Sequence, residues 1–280
     1  MGLKHNLMNL KKMKYIKPSF LVLITLIIIA CAKVPISGRR QVTLVPESEL
    51  MSMSLVQYKS FLTENPPMSE QIEQTKEVKR VGNRIAHAVE SYLKNEGQSN
   101  RVKNYKWEFN LVNQDVVNAW CMPGGKVVVY KGILPVTQSD AGLAVVMGHE
   151  IAHAIARHGN ERMSQGILAA AGGAAIAVYM KDKPQETQAL FLSAYGIGAG
   201  VGILAFGRNQ ESEADKLGMV FMAMAGYEPK EAIPFWERMK STGGGGSVPE
   251  FLSTHPSHDT RIGRIQEWLP TAESYFTKVD

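Results

Sequence analysis

Residues 140–159 read DAGLAVVMGHEIAHAIARHG, and this stretch carries the strongest structural information in the chain. Its apolar residues fall on nearly every face of the predicted helix, and a helix that is apolar all round is buried. His149 and His153 are four residues apart, so both imidazoles project from one face and can bind a single metal ion. Burying them together with the carboxylate of Glu150 would be costly unless something such as a metal satisfied them. The stretch therefore predicts a buried helix with a metal site, in which Glu150 holds and deprotonates a metal-bound water.

A third ligand is offered by the segment ESEAD at residues 211–215. Glu211 would supply a carboxylate oxygen, and Asp215, one helical turn later, could accept a hydrogen bond from the outer ring nitrogen of a ligating histidine. Glu213 is expected to point away from that face and to be solvated. Three protein ligands leave an open fourth position, which is the arrangement of a catalytic rather than a structural zinc. We therefore predict one catalytic Zn²⁺ per chain, bound by Glu211 and the two histidines.

His158 follows His149 by nine residues. On a helix that continues to Gly159 the two histidines would lie on roughly opposite faces, so we interpret His158 as a surface residue or as a residue behind the ligands, rather than as a ligand. The metzincin pattern is excluded, because its glycine and its third histidine would have to stand where the chain has Ala156 and Gly159.

Four segments of the chain together resemble the HtpX-like and CaaX-prenyl-protease-type zinc metallopeptidases of peptidase family M48. The resemblance extends from about residue 46 to the C-terminus, and its segments are NAWCMPGGKVVVYKGIL (118–134), HEIAHAIARHGNER (149–162), ESEADKLG (211–218) and STHPSHDTRI (253–262). It implies that His149, His153 and Glu211 are the zinc ligands, that Glu150 is the general base, and that Asp215 supports a ligand. These are the residues that the spacing alone indicates.

The resemblance suggests two alternative roles for His255, which lies in the last of these segments. This histidine would either donate a hydrogen bond to the oxyanion that forms on the scissile carbonyl, or occupy the fourth zinc position as a latch that keeps the enzyme latent. A third interpretation is a loop histidine that caps the following helix. Arg261 is a candidate for supporting the same oxyanion, and His258 is a weaker one.

The expected fold is α+β and mainly α: a zincin-type metallopeptidase domain over residues 46–280, with an active-site helix, a small β-sheet with an edge strand, and surrounding helices. Apolar residues at three- and four-residue spacing predict an amphipathic helix over residues 69–97. Alternating residues predict a strand at 107–111, and residues 118–130 predict two strands around a Pro-Gly-Gly turn. The resemblance suggests that a strand beside the active-site helix binds the substrate backbone by strand addition.

The N-terminal 30 residues are expected to be a lipoprotein signal peptide. Basic residues precede a short apolar run that ends in a small residue and Cys31, which we interpret as the lipidated residue, followed by a tether over residues 31–45. An uncleaved membrane anchor is the alternative, although about eleven apolar residues are few for a span. By resemblance to Gram-negative lipoproteins, we expect a lipid-anchored protein of the cell envelope, at the periplasmic face of the outer membrane.

The overall charge of +5 does not indicate a nucleic-acid partner. Residues 1–30 hold five lysines and no acid, so the rest of the chain has 26 basic and 26 acidic residues and a net charge of zero. The expected partners are therefore polypeptide substrates and, through the N-terminal lipid, a membrane.

Two apolar stretches rich in Gly and Ala, at 166–180 and 189–207, leave the membrane topology open. The second is about nineteen residues long and could span a bilayer, which would make the protein a membrane-embedded peptidase. Because its end runs almost directly into Glu211, we favour a buried or membrane-facing pair of helices.

The sequence thus predicts a zinc-dependent endopeptidase that hydrolyses unfolded or misassembled envelope proteins, held latent by a histidine latch if His255 binds the zinc. The alternative is a chaperone or assembly factor in which the zinc site is largely latent.

Overall fold

The computed structural model describes residues 31–171, 180–195, 207–242, 250–255 and 260–276. Most of these residues are helical, and the predicted α+β, mainly α fold is confirmed. The strands are β1 (Cys31–Lys33), β2 (Arg40–Val42), β3 (Glu108–Val112), β4 (Ala119–Met122) and β5 (Lys126–Tyr130). The α-helices are α1 (Glu47–Glu64), α2 (Glu73–Asn95), α3 (Leu134–Thr137), α4 (Asp140–Ala156), α5 (His158–Ala171), α6 (Pro184–Tyr195), α7 (Arg208–Met224), α8 (Ala232–Thr242), α9 (Glu250–Thr254) and α10 (Arg261–Glu273).

Helix α4 is the buried centre of the molecule. Ser139 caps its start, where the hydroxyl oxygen accepts a hydrogen bond from the backbone N–H of Gly142 at 3.1 Å. Every residue from Gly142 to Ala156 is buried, as the apolar sequence predicts. The helix ends earlier than expected, because Arg157 adopts the left-handed conformation, with φ of 59°. This turn starts α5 in a new direction.

Strands β3, β4 and β5 form a sheet in the order β3-β5-β4. The β4 and β5 strands pair as an antiparallel hairpin, and β3 adds to β5 in parallel. The strands predicted at 107–111 and within 118–130 are therefore present. Strand β4 lies at an edge of the sheet and packs against α4, which is the position expected for a strand beside the active-site helix.

Helices α4 and α7 cross in backbone contact. A Cβ atom added to Gly148 would lie 2.8 Å from the carbonyl oxygen of Gly218, and one added to Gly218 would lie 2.8 Å from the backbone nitrogen of His149. Only glycine leaves room for so close an approach. The crossing brings the first turn of α7, with Glu211, next to the two histidines of α4.

Helix α2 packs on the same core through one apolar face. It runs over Glu73–Asn95, inside the predicted range of 69–97, and buries Val78, Ile85 and Val89 among others. At Gly82 the ring of Phe109 on β3 would meet an added Cβ atom at 2.3 Å, so this glycine allows the sheet to approach the helix.

The segment expected to be a tether contains folded structure. Strands β1 and β2 pair antiparallel, and we refer to residues 31–42 as the N-terminal hairpin. Gln41 donates a buried hydrogen bond of 2.7 Å to the carbonyl oxygen of Ala156, at the end of α4. The hairpin therefore packs on the end of the active-site helix instead of running free. The predicted signal peptide, residues 1–30, lies outside the described residues.

The apolar stretches at 166–180 and 189–207 are described only in part, since residues 172–179 and 196–206 lie outside the description. In the described portions, α5 and α6 pack on each other through Met163, Ile167 and Phe191. Among the helices that the structure describes, none combines the length and the apolar character needed to cross a bilayer.

Candidate metal centre

Four side chains from three parts of the chain converge at the crossing of α4 and α7. His149, His153, Glu211 and His255 each offer one metal-binding atom, and these atoms lie within 4.8 Å of one another. The Nε2 atoms of His149 and His153 are 3.0 Å apart. The Nδ1 atom of His255 lies 3.2 Å from Nε2 of His149 and 3.0 Å from Oε1 of Glu211. Since His149 and His153 come from α4, Glu211 from α7 and His255 from the end of α9, the cluster exists only in the folded chain.

The spacing of these atoms fits a tetrahedral zinc ion. Ligands at about 2.0–2.1 Å from zinc in a tetrahedron are about 3.3 Å from one another. The nitrogen–nitrogen distances of 3.0 and 3.2 Å are close to that value. The Nε2 atom of His153 lies 3.3 Å from Oε1 of Glu211, and the Nε2 atom of His149 lies 3.5 Å from the other carboxylate oxygen, Oε2. Three imidazole nitrogens and one carboxylate oxygen are also donors that zinc prefers.

His149 is oriented by a buried ion pair. Its Nδ1 atom lies 2.9 Å from Oδ1 of Asp215, which therefore has the supporting position that the sequence predicts. Arg261 on α10 donates to both oxygens of Asp215, from Nε at 2.7 Å and from Nη2 at 2.8 Å, and its Nη2 atom also donates to Glu211 at 3.1 Å. Burial alone would raise the pKa of Asp215, but the charge of Arg261 and the hydrogen bond from His149 outweigh it and lower this pKa. Arg261 thus donates hydrogen bonds to two carboxylates, those of Asp215 and Glu211. Its role in supporting an oxyanion on the substrate carbonyl stays a prediction.

His153 is supported by a different chain of contacts, which the sequence did not reveal. Its Nδ1 atom lies 2.9 Å from Nδ1 of His158, and Nε2 of His158 lies 2.9 Å from Oε2 of Glu213. Glu213 in turn accepts a hydrogen bond of 2.7 Å from Nε of Arg39 and another from the hydroxyl of Ser37.

The sequence left two positions open for His158, at the surface or behind the ligands, and the structure shows the second: His158 is fully buried, because the helix ends at Arg157 and turns His158 back toward His153. The expectation for Glu213 is wrong. Glu213 is 7% exposed and not solvated, because the N-terminal hairpin covers its side of α7. Burial would raise the pKa of Glu213, but the hydrogen bonds from His158, Ser37 and Arg39 outweigh it and lower the pKa to about 2. Burial also lowers the pKa of His158, which favours a neutral imidazole.

Glu150 projects from α4 toward the cluster and is buried, with 3% of its surface exposed. Its Oε1 atom lies 3.4 Å from Nε2 of His255 and accepts no hydrogen bond among the described residues. Burial raises the pKa of this carboxyl group. A buried carboxylate oxygen that lacks a donor, next to four metal-binding atoms, is a suitable partner for a metal-bound water.

The segment that carries His255 is attached to the chain just before β4. The backbone N–H of Phe251 donates to the carbonyl oxygen of Val117 at 3.1 Å, and the side-chain amide of Asn118 donates to the carboxylate of Glu250 at 3.1 Å. The fully buried ring of Phe251 stacks on the His255 ring, with centroids 4.7 Å apart and an angle of 29°. His258 and the rest of 256–259 lie outside the described residues.

This geometry agrees with the comparison to known families. The model of Peptidase family M48 matches residues 73–269, which is most of the chain. The chain belongs to this family. Its members are zinc-dependent, and the cluster around His149 is the part of the described structure that can hold the metal. The matched residues include the four side chains that could bind a metal but not the N-terminal hairpin.

Individual relatives are similar over part of their length. The chain is 37% identical over 175 residues to the mitochondrial metalloendopeptidase OMA1 of Schizosaccharomyces pombe, an alignment that covers 61% of this chain and 49% of the relative. The protein of the same name from Saccharomyces cerevisiae is 34% identical, with coverage of 72% and 58%. The beta-barrel assembly-enhancing protease of Escherichia coli is 28% identical, with coverage of 59% and 34%. The chain thus spans about half the length of the first two relatives.

The predicted location at the periplasmic face of an outer membrane is wrong by this comparison. The two yeast relatives, at 37% and 34% identity, are named mitochondrial metalloendopeptidases. The prediction failed because basic residues before a short apolar run do not by themselves specify one targeting route. Lipidation of Cys31 stays a prediction from the sequence.

Proposed function

We propose that this protein is a zinc-dependent endopeptidase whose zinc is bound by His149, His153 and Glu211. The observation that carries the proposal is the set of four donor atoms within 4.8 Å of one another beside the buried carboxylate of Glu150. A structural zinc site would have no need of a buried carboxylate oxygen that lies next to the donors and lacks a hydrogen bond of its own among the described residues.

The chemistry proposed is hydrolysis of a peptide bond. Zinc, when bound, supplies a water molecule of lowered pKa and polarises the peptide carbonyl. Glu150 takes a proton from the attacking water and later gives it to the leaving amine, as general base and then general acid. Its raised pKa makes it a stronger base than an ordinary carboxylate. Asp215, fixed by Arg261, accepts a hydrogen bond from Nδ1 of His149 and so directs Nε2 of that ring toward the metal.

The edge strand β4 is the surface on which an extended substrate would bind. It runs beside α4, and a peptide that pairs with it would pass the donor cluster. The α9 segment contacts Val117 and Asn118 directly before this strand. A substrate paired with β4 would therefore lie close to the segment that carries His255.

His255 acts in this proposal as a latch. The support for this role is the position of its Nδ1 atom, 3.2 Å from Nε2 of His149 and 3.0 Å from Oε1 of Glu211, where it would take the place that a catalytic site keeps for water or substrate. The enzyme is then latent as long as His255 holds this place. Phe251 stabilises this position, because its buried ring lies against His255 and within 5.8 Å of the Trp236 ring centroid.

Unfolded or misassembled proteins are the substrate class that this arrangement favours. Strand addition requires an extended backbone, which folded proteins seldom expose. The name of the Escherichia coli relative, beta-barrel assembly-enhancing protease, is consistent with quality control of assembling proteins. A site that His255 keeps closed also favours one alternative, a chaperone or assembly factor whose zinc site stays latent.

The test measures zinc content and casein cleavage of the purified protein alongside three variants. Glu150→Gln should keep stoichiometric zinc and lose activity by a factor of at least about 10³, since the general base is lost. His255→Ala should keep zinc and cleave faster than the unaltered protein, because the fourth position is opened. His87→Ala, an exposed histidine on α2, is the matched control and should change neither quantity.

The outcomes separate the roles of His255. Slower cleavage by His255→Ala with zinc retained would overturn the latch and favour the oxyanion role. If the unaltered protein and all variants bind zinc but none cleaves casein, the chaperone alternative is supported. That alternative also predicts that Glu150→Gln leaves the cellular role intact. A folded protein without zinc would overturn the site itself.

A further inference from the structure

The N-terminal hairpin contacts the metal centre through one arginine. Nη1 and Nη2 of Arg39 donate to the two oxygens of Glu161 on α5 at 2.7 and 2.8 Å, and its Nε atom donates to Glu213 on α7 at 2.7 Å. The side chain is 31% exposed, whereas those of Glu161 and Glu213 are 8% and 6% exposed. One guanidinium at the rim of the fold therefore joins two helices that meet behind the metal site.

The hydrogen atoms along this chain of contacts have one consistent arrangement. When Nε2 of His153 binds a metal, its only N–H is on Nδ1, and this N–H must donate to Nδ1 of His158. His158 then carries its hydrogen on Nε2 and donates it to the carboxylate of Glu213. Glu213 keeps this acceptor position because Arg39 and Ser37 donate to it from the hairpin.

We propose that Arg39 is a positioning residue for the zinc ligand His153, acting through Glu213 and His158. This inference rests on the zinc site of the proposed function and adds a second region to it. A ligating histidine commonly donates its outer N–H directly to a carboxylate, as His149 does to Asp215. For His153 the ring of His158 stands between the ligand and the carboxylate of Glu213. The N-terminal hairpin, which holds this carboxylate, precedes the residues matched by the family model.

Further contacts hold the hairpin in register with α4. Gln41 donates to the carbonyl of Ala156, and Arg101 donates to the carbonyl of Ile155 at 2.6 Å and to that of Lys33 at 2.5 Å. These bonds join the hairpin to the last turn of the helix that carries His153. A shift of the hairpin would therefore move Arg39 and the end of α4 together.

The experiment compares zinc affinity in Arg39→Met, Glu213→Gln and the double variant, by competition with a chelator. Each single change should weaken zinc binding about tenfold, which is typical for the loss of a partner behind a metal ligand. Because both act through one chain of contacts, the double variant should also be weakened about tenfold and not a hundredfold. Arg39→Lys should fall between, since an ammonium cannot donate to Glu161 and Glu213 in the same fork geometry.

Arg40→Met is the matched control, because Arg40 is the exposed neighbour of Arg39 on the same hairpin. Its zinc affinity should stay within about twofold of the unaltered protein. Each variant is also loaded with Co²⁺, whose visible absorption reports ligand geometry, and the spectrum should change in Arg39→Met but not in Arg40→Met.

Three results would overturn the inference. If Arg39→Met lowers the unfolding temperature of the zinc-free protein but leaves zinc affinity and the Co²⁺ spectrum unchanged, Arg39 only stabilises the fold. Additive effects in the double variant would show that Arg39 and Glu213 act separately. If the unaltered protein binds no zinc, the proposed function fails together with the inference, whereas zinc binding that is insensitive to Arg39 overturns the inference alone.

Discussion

The two histidines of the metal centre stand one turn apart on the same helix, yet different regions of the molecule support them. His149 is oriented by Asp215 and Arg261, which are both nearly fully buried. His153 is oriented by His158 and Glu213, and that chain of contacts ends at the partly exposed Arg39. One ligand therefore depends on the interior of the domain, while the other depends on a contact at its rim.

A metal site supported in this way has a fixed half, around His149, and a half around His153 that depends on a surface contact. A buried ion pair is hard to disturb from outside, since its charges have no access to solvent. A hairpin at the surface can be displaced by a partner or by a change elsewhere in the chain. On this reasoning we expect the half around His153 to be the adjustable one, and the predictions that follow test this asymmetry.

The largest effect is expected for Arg261→Met. The change leaves Asp215 and Glu211 as neighbouring buried carboxylates without their cation, which should lower the free energy of unfolding by about 3–5 kcal/mol. Arg39→Met should lower it by only about 1 kcal/mol, because Arg39 is 31% exposed and both carboxylates keep other donors, Ser37 and His158 at Glu213 and Gln210 at Glu161. Urea unfolding of the zinc-free proteins measures both values, and equal losses would contradict the asymmetry.

A smaller effect is expected for Gly218→Ala, which should disturb the surroundings of both His149 and His153. The added methyl group meets the backbone of His149 at the crossing of α4 and α7, so the helices must separate, at a cost of about 1–3 kcal/mol. Zinc affinity should fall as well, since Glu211 is carried by α7. Gly263→Ala on α10 is the control: an added Cβ meets nothing within 4 Å there, and the variant should be unchanged or up to about 1 kcal/mol more stable. Loss of stability in the control but not in Gly218→Ala would rule out the close crossing.

The smallest effect is expected for Gln41→Ala, which loosens the N-terminal hairpin. It removes the hydrogen bond to the carbonyl of Ala156 and the one that Gln41 accepts from Arg39 at 3.2 Å, and we expect a loss of about 1 kcal/mol. Hydrogen exchange should then rise in residues 33–42 and around His158, with no change near Arg261. Equal protection at both places would show that the hairpin does not support the His153 side.

The sequence predicts one half of this centre much better than the other. The spacing of His149 and His153 and the pair Glu211 and Asp215 are local helical patterns, and the structure brings these residues together. The fold class and the strands around β4 also follow from local patterns. Resemblance to the family, and not spacing, pointed to His255.

The half around His153 could not be predicted from local patterns. The contact of Arg39 with Glu213 joins residues 174 positions apart. The spacing of apolar residues along a helix does not indicate which distant element covers its outer face. The burial of His158 depends on the left-handed turn at Arg157, a conformation that arginine adopts only rarely. If α4 is assumed to continue through residue 158, His158 falls on the face opposite to His149, which is not where the structure has it.

The close crossing of α4 and α7 has a consequence for how the protein folds. Glu211 lies some sixty residues after the histidines that it joins, and the contact between His149 and His255 spans 106 residues. Contacts of such long range form late, because the entropy of closing the loops is lost before they contribute stability. We therefore expect the complete zinc site to form only after the tertiary fold is in place. The rate at which Co²⁺ acquires its final spectrum during refolding would accordingly report the last folding step.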